Sequence, residues 1–168
     1  MMTVRVRLAA MLSRWFLVER RQPEQSVSRL HMRCVLTDLD INRHMNNSRY
    51  LALMDVGRYH YTLVSGLWRP VWHRRWFPVL VRAEMNFKRS IGPGERFVLE
   101  TSLVAIGNKS ATLRQRFLVG DVIAAEGIVT ALFLHKGKPQ VLQSLIDELP
   151  ALVPEPEPDP GPIFVSAN

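Results

Sequence analysis

The chain has 168 residues, of which 47% are hydrophobic and 22% charged. These values are typical of one globular domain and argue against a disordered, collagen-like or membrane-spanning protein. The net charge is +7, and eighteen of the 22 basic residues are arginines, whose planar guanidinium groups pair well with phosphates and carboxylates. The charge therefore indicates a phosphorylated ligand or an anionic surface. Cys34 is the single cysteine, which excludes an internal disulfide and a cysteine zinc site, and we interpret it as a small buried hydrophobe.

Residues 1–27 form a basic N-terminal segment that ends in a polar linker. The first 21 residues contain no acid before Glu19 and no apolar run long enough to span a membrane. On a helix, an apolar stripe and a set of arginines fall on different sides. The stripe consists of Leu8, Met11, Leu12 and Trp15, and the arginines are Arg7, Arg14 and Arg21. This pattern predicts an amphipathic helix, either packed on the domain or in peripheral contact with a membrane surface.

A strand, a short polar loop and a long helix follow the linker. Alternation of apolar and polar residues predicts a strand over Leu30 to Leu36. The loop from Thr37 to the helix carries two carboxylates, a histidine and an asparagine pair, of which Asn46 or Asn47 is suited to cap a helix. Beyond Asn47 the apolar residues recur at spacings of three, four and seven until Gly66, which predicts a central helix with a broad buried face.

The second half of the chain is predicted to be mainly strands. After an Arg- and Trp-rich connection from Trp68 to Pro78, four alternating runs are joined by turns at IGPGE, Gly107-Asn108 and Gly120-Asp121. A short helix over 141–149 and a proline-rich tail complete the chain. The order predicts an α+β domain at 28–150, in which a curved antiparallel five-stranded sheet wraps around one long helix, followed by a tail at 151–168.

The element order and the stretch DLDINRHMNNSRYL together resemble the hotdog-fold thioesterases of the 4-hydroxybenzoyl-CoA thioesterase type. In that family a pattern D-x-D-x-x-G-H-h-N-N-x-x-Y, with h apolar, opens the central helix. Here the pattern is carried by Asp38, Asp40, His44, Met45, Asn46, Asn47 and Tyr50. The wording HMNNSRYL is most similar to thioesterase superfamily member six-like proteins, several of which have an N-terminal membrane-attaching segment. One position departs from the pattern, since Arg43 stands where many members have glycine.

The resemblance implies an acyl-CoA thioesterase with no cofactor other than coenzyme A as part of the substrate. Asp40 would act as nucleophile or as base for water, and the Asn47 backbone amide would polarise the thioester carbonyl at the helix N-terminus. His44 would support Asp40. The residues expected to contact substrate are Asn46, Tyr50, Arg43, Lys88 and Arg89. A homodimer or tetramer is expected because the edge of a five-stranded sheet needs cover.

Simpler interpretations remain open for each of these residues. Asp40 and the asparagines are also suited to a turn and a helix cap, and a lone histidine near a helix start is often structural. Asp38 is interpreted as a turn or ion-pair residue, and Asp55 as a solvated or dimer-facing one. Catalysis is the alternative for Asp55, because other hotdog subfamilies have a catalytic acid on the central helix. An acyl-carrier-protein thioesterase and a catalytically silent acyl-CoA or lipid-binding protein are the alternative functions.

Other partners are not indicated by the sequence. The five histidines lack the spacing and acidic companions of a zinc motif, so no metal site is predicted. Charge and tryptophans alone do not make a nucleic-acid-binding motif, and no nucleic-acid partner is predicted. The expected location is the cytoplasm, with membrane association through residues 1–21 left open.

Overall fold

The computed structural model describes residues 2–149, 152 and 154. The helices are α1 (Met2–Leu17), α2 (Asn47–Val64), α3 (Trp68–His73) and α4 (Gln143–Glu148). The strands are β1 (Val27–Arg33), β2 (Phe77–Phe87), β3 (Arg96–Ile106), β4 (Ser110–Val119), β5 (Val122–His135) and the two-residue β6 (Lys138–Pro139). Two single-turn 3₁₀ helices lie at Glu19–Arg21 and Leu36–Asp38. The predicted tail at 151–168 lies outside the described residues apart from Leu152 and Pro154.

The sheet is antiparallel, with the strand order β1-β3-β4-β5-β2 and with β6 paired to β5. Both predicted tight hairpins are present, since β4 pairs with β3 across Gly107-Asn108 and with β5 across Gly120-Asp121. The sheet curls around α2, which confirms the predicted hotdog architecture of five long strands around one central helix. The outer edge of β2 has no partner strand among the residues that the structure describes.

Helix α2 packs against the sheet through a broad buried face. The buried residues at helical spacing are Tyr50, Leu53, Met54, Val56, Gly57, His60, Tyr61 and Val64. At Gly57 the helix comes so close to the sheet that an added Cβ would lie 2.8 Å from the Gln115 amide nitrogen and 2.9 Å from Thr101 Oγ1. That amide nitrogen already donates hydrogen bonds to the Met54 carbonyl (2.9 Å) and to Thr101 Oγ1 (3.1 Å). A side chain at position 57 would therefore displace an amide whose donors are already paired.

Strand β1 ends three residues earlier than the sequence predicts. Its pairing with β3 stops at Arg33, and the chain then turns into the 3₁₀ helix at Leu36–Asp38. The turn is stabilised because the Asp38 carboxylate accepts a hydrogen bond from the Val35 amide at 3.0 Å. The alternation of Cys34 and Leu36 continued the strand pattern by chance, since Leu36 is 80% exposed. The Arg- and Trp-rich connection also differs, because it contains the short helix α3.

Helix α1 packs against α2 through apolar residues, and it also exposes apolar residues to solvent. Met11 belongs to the main core, with Val4 and Leu8 packed beside it. Two residues depart from a simple division into an apolar and a basic face: Leu12 of the apolar stripe is exposed, and Arg7 turns inward to an ion pair. None of the described helices is both long and apolar enough to cross a membrane.

Candidate functional site

The loop between β1 and α2 is closed by backbone hydrogen bonds. The Asp38 carbonyl accepts from the Asn46 amide at 2.8 Å, and the Asp40 amide donates to the His44 carbonyl at 2.9 Å. A bridge between Leu39 and Met45 lies between these two bonds. The loop is therefore a small hairpin that is closed at its base by the Asp38–Asn46 bond, carries Asp40 beside its tip and ends directly at the first turn of α2.

One oxygen of the Asp40 carboxylate is fixed and the other is available. Oδ1 accepts from the backbone amides of Asn42 (2.8 Å) and His44 (3.3 Å). No residue in the described part of the chain donates to Oδ2. The side chain is partly exposed at the surface. This is the geometry of a turn-closing aspartate, and it also presents a carboxylate oxygen in a fixed position.

The first turn of α2 presents an amide without an intrahelical acceptor. Asn46 is the N-cap, and its Oδ1 accepts from the Ser48 amide at 2.9 Å and from Ser48 Oγ at 2.7 Å. This cap leaves the Asn47 amide without an acceptor among the described residues. A helix N-terminus carries a partial positive charge, so an unpaired amide there favours an anionic or carbonyl oxygen. The exposed Asn47 lies at the end of the same closed loop that holds Asp40.

The loop is tied to α1 by an ion pair that the sequence analysis did not identify. Arg7 Nη2 contacts Asp38 Oδ2 at 2.6 Å and the Arg33 carbonyl at 2.7 Å. The Asp38 side chain is fully buried, and that of Arg7 is only 15% exposed. This confirms the ion-pair interpretation of Asp38. Its partner lies 31 residues away in a helix whose arginines form a regular pattern, so no local signal distinguishes Arg7 from Arg14.

The remaining predicted site residues are distributed around this loop. His44 is exposed and supports Asp40 through its backbone amide. Arg43 is exposed and has a left-handed backbone with φ of 60°, the conformation for which glycine is favoured. Lys88 and Arg89 follow β2 at the surface, where Arg89 pairs with Glu95 at 2.6 Å. The hydrogen bond from the Gly92 amide and the pairing with Arg89 hold the pKa of Glu95 below its usual value.

Tyr50 is placed in the core and not on the loop surface. It is 2% exposed and makes edge-to-face contacts with Phe87 and Phe117 at centroid distances of 5.1 and 4.9 Å. Burial raises the pKa of its phenol. The Tyr50 ring therefore packs in the core beneath the first turn of α2, while Asp40, Asn47 and Arg43 lie at the surface.

Two other groups resemble nucleophilic sites but are buried. Burial, followed by the charge of Asp38, raises the pKa of the Cys34 thiol to about 11, which keeps it protonated and unreactive. Ser28 Oγ lies 2.6 Å from His60 Nδ1, and His60 Nε2 lies 2.7 Å from Glu19. Ser28 is completely buried, so this Ser-His-Glu arrangement fixes the segment after α1 to α2 and does not face substrate. Within the described residues, no cluster of three or more His, Cys, Asp or Glu is placed to hold a metal ion.

Asp55 lies on the exposed side of α2, two turns beyond Asn47. Its carboxylate pairs with Arg58, which also donates to Gln115 Oε1 at 2.8 Å. The pair is therefore anchored to the sheet at one end and open to solvent at the other. This agrees with the interpretation of Asp55 as a surface residue.

Comparisons with known proteins identify the family. A family model described as thioesterase-like superfamily matches residues 34–156. The protein THEM6 of Danio rerio is 33% identical over 116 residues, which cover 66% of this chain and 55% of that protein. The chain spans between 53% and 61% of the length of the curated relatives it matches.

Solved structures show the same fold. The probable thioesterase YbaW of Escherichia coli superposes with a TM-score of 0.69 at 21% identity, covering 74% of this chain and 98% of that one. A thioesterase of Thermus thermophilus, solved with coenzyme A and Zn, gives a TM-score of 0.63 at 26% identity and covers 72% of this chain and 94% of its own. The chain therefore belongs to the thioesterase-like superfamily and has the hotdog fold.

Proposed function

We propose that this chain hydrolyses acyl-CoA thioesters, with Asp40 as base or nucleophile and the Asn47 amide as the group that polarises the carbonyl. The observation that carries the proposal is the closed loop. Among the described residues, Asp40 on this loop has a carboxylate oxygen without a donor, and Asn47, where the loop ends seven residues later, has a helix N-terminal amide without an acceptor. Thioester hydrolysis needs an activated oxygen and a donor for the oxyanion, and Asp40 Oδ2 and the Asn47 amide are our candidates for these two roles.

In the reaction, Asp40 Oδ2 accepts a proton from water while the water oxygen attacks the thioester carbon. The carbonyl oxygen becomes an oxyanion, which the Asn47 amide and the positive end of α2 stabilise. The tetrahedral intermediate then expels the coenzyme A thiolate and leaves the carboxylic acid. In the alternative in which Asp40 is the nucleophile, Oδ2 attacks the thioester carbon, the C–S bond breaks and coenzyme A leaves as thiolate. The mixed anhydride that remains is hydrolysed by water in a second step, which releases the carboxylic acid and restores Asp40.

Basic side chains beside the loop are suited to the phosphates of coenzyme A. Lys88 is exposed at the end of β2, and Arg43 is exposed on the loop itself. Arg89 is already paired with Glu95, which leaves it only part of its donor capacity. The Thermus thioesterase solved with coenzyme A supports a substrate of this class. An acidic carrier protein would meet the same charges, and competition by free coenzyme A distinguishes the two substrates.

The working form is proposed to be a homodimer or a tetramer built from homodimers. The free edge of β2 exposes Phe77, Val81 and Phe87, which are 69%, 55% and 44% exposed. An unpaired edge strand with apolar side chains is a pairing surface, and natural proteins usually cover it. The mass in solution, measured by analytical ultracentrifugation of the full chain, tests this assembly.

Peripheral membrane contact through residues 1–21 is proposed for α1. Its outer side exposes Val6, Phe16 and Leu17, which are 60%, 56% and 73% exposed, with Arg5 beside them. Apolar side chains flanked by arginines are suited to an anionic lipid surface. Cosedimentation with vesicles of anionic lipid, compared with neutral vesicles, tests the contact.

The hydrolysis proposal is tested by release of free thiol from short, long and aromatic acyl-CoAs. Asp40→Asn keeps the shape and one acceptor oxygen, so we expect the same fold and a loss of about 10²- to 10⁴-fold in rate, the usual contribution of a general base. Asp121→Asn is the matched control, because it removes an exposed carboxylate from the turn between β4 and β5, which contributes no residue to the loop, and it is expected to retain the wild-type rate. Equal rates for wild type and Asp40→Asn would refute the assignment, and tight binding without turnover would favour the silent acyl-CoA-binding alternative.

A further inference from the structure

A cavity of about 170 Å³ lies between the second half of α2 and the sheet. Its lining is almost entirely apolar and includes Leu103, Leu113 and Ala131 from three neighbouring strands. The far wall is formed by Leu142 and Leu145 beside and within α4, each 2% exposed. An apolar cavity of similar size, about 150 Å³, stays dry in another protein and binds benzene, so this one accommodates about six carbons.

Two exposed residues of the cavity lining lie on the same stripe of α2 as Asn47. Asn47, Leu51, Asp55 and Tyr59 are all exposed and follow one another at intervals of four residues, which places them along one stripe of the helix. Asp55, Tyr59 and Leu80 of β2 line the cavity and are exposed to solvent, so we take the opening of the cavity to lie among them. The Asp55–Arg58 ion pair neutralises the charge at this opening.

The distance between the two sites fits a fatty chain. Asp55 is eight residues beyond Asn47, which at ~1.5 Å per residue is about 12 Å along the helix, and a zigzag of about ten carbon–carbon bonds covers it. A chain whose carbonyl lies at the Asn47 amide would therefore pass over Leu51, which is 46% exposed, and enter the cavity after about ten carbons.

We infer that this cavity is the binding site for the distal end of a long aliphatic acyl chain, and that α4 is the wall that limits its length. The inference rests on the proposed function, because it takes the Asn47 amide as the position of the carbonyl. The substrate class is then fatty acyl-CoA of about fourteen to sixteen carbons. An aromatic acyl group would end at Leu51 and leave the cavity empty, so it should bind less tightly. Arg74 pairs with Glu148 and thereby fastens α4 over the cavity.

The test is equilibrium binding of non-hydrolysable S-alkyl-CoA thioethers with chains of six to eighteen carbons. For the wild type we expect affinity to rise by up to about fourfold for each methylene beyond the tenth and to level off near the sixteenth carbon. Ala131→Leu places about three methylene equivalents into the cavity. It should weaken hexadecyl-CoA binding by about 50-fold and leave octyl-CoA binding unchanged.

Two further variants make the result specific. Ala105→Leu is the matched control, because Ala105 is exposed on β3 and does not line the cavity, and it should bind all chain lengths as the wild type does. Leu145→Ala removes part of the far wall and should move the plateau to chains about three carbons longer. It also provides a measurement if Ala131→Leu does not fold, which thermal unfolding followed by circular dichroism would reveal.

The outcomes separate this inference from the proposed hydrolysis. Affinity that is independent of chain length beyond ten carbons, or equal effects of Ala131→Leu and Ala105→Leu, would overturn the acyl-chain site. Because binding of a thioether involves no turnover, a failure of Asp40-dependent thiol release would refute hydrolysis and leave this result untouched. A shift of the plateau in opposite directions for Ala131→Leu and Leu145→Ala would support the site whether or not the chain is catalytically active.

Discussion

Replacing Arg7 by Met is expected to destabilise the protein by about 3–5 kcal/mol, the usual consequence of removing one partner of a buried ion pair. Asp38 has a fully buried side chain, and Arg7 is the cation that contacts it, at 2.6 Å. Without Arg7 the carboxylate keeps its hydrogen bond from the Val35 amide but loses its counter-charge in a site that excludes solvent. Met retains most of the apolar stem of arginine, so the change reports mainly the lost charge.

The assay is urea unfolding followed by circular dichroism and tryptophan fluorescence, with Arg14→Met as the matched control. Arg14 lies two turns further along the same helix and also pairs with a carboxylate, Glu19 at 2.8 Å, but its side chain is 61% exposed. Pairs of this kind contribute about 0–1 kcal/mol. The double variant Arg7→Met/Asp38→Asn removes both charges and keeps an acceptor for Val35, so it should recover part of the loss. Equal unfolding free energies for Arg7→Met and Arg14→Met would refute the reasoning.

Two further predictions concern pH and the backbone. Burial lowers the pKa of His60 below its usual value, so the unfolded chain binds a proton before the folded chain does as the pH falls below ~6.5. The free energy of unfolding should therefore fall as the pH decreases from ~6.5 towards the lower pKa of the folded state, and His60→Gln should flatten this slope in urea unfolding at a series of pH values. An unchanged slope would contradict this. At Arg43, with φ of 60°, replacement by Gly removes the strain of a left-handed residue and should raise the free energy of unfolding by about 1 kcal/mol or less, because glycine also gains entropy when unfolded. A lower urea midpoint would argue against strain at this position.

The sequence predicts elements well where the periodicity is produced by the core. The stripe from Tyr50 to Val64 faces the sheet, and alternation with tight turns locates the four later strands and the two hairpins of β4. The pairing of β2 with β5 and of β3 with β1 does not follow from that alternation. Periodicity does not predict the backbone conformation where a local hydrogen bond determines it. The turn after Arg33 depends on the Asp38 carboxylate and the Val35 amide, and no hydrophobic pattern reports such a bond.

The site is predictable in part for a similar reason. Asp40, Asn46 and Asn47 follow from turn and cap chemistry and from the family pattern, because those roles are set within a few residues of one another. The Arg7–Asp38 pair and the cavity wall at Leu145 join segments far apart in the sequence. Their side chains come together only when α1 and α4 pack on the domain, so the order of residues alone does not identify them.

In the proposed thioester hydrolysis, the closed loop compensates for the small number of participating groups. A carboxylate and an amide are effective only if they are held in position before the substrate binds, because reorganisation during the reaction would cancel much of their stabilisation. Three separate segments hold this loop: Arg7 of α1 through Asp38, the end of β1 through Val35, and the Ile91 carbonyl through the Met45 amide at 2.8 Å. None of these contacts is made by Asp40 or by the Asn47 amide. Substitutions in α1 should therefore affect the rate through the position of the loop, although α1 supplies no catalytic group.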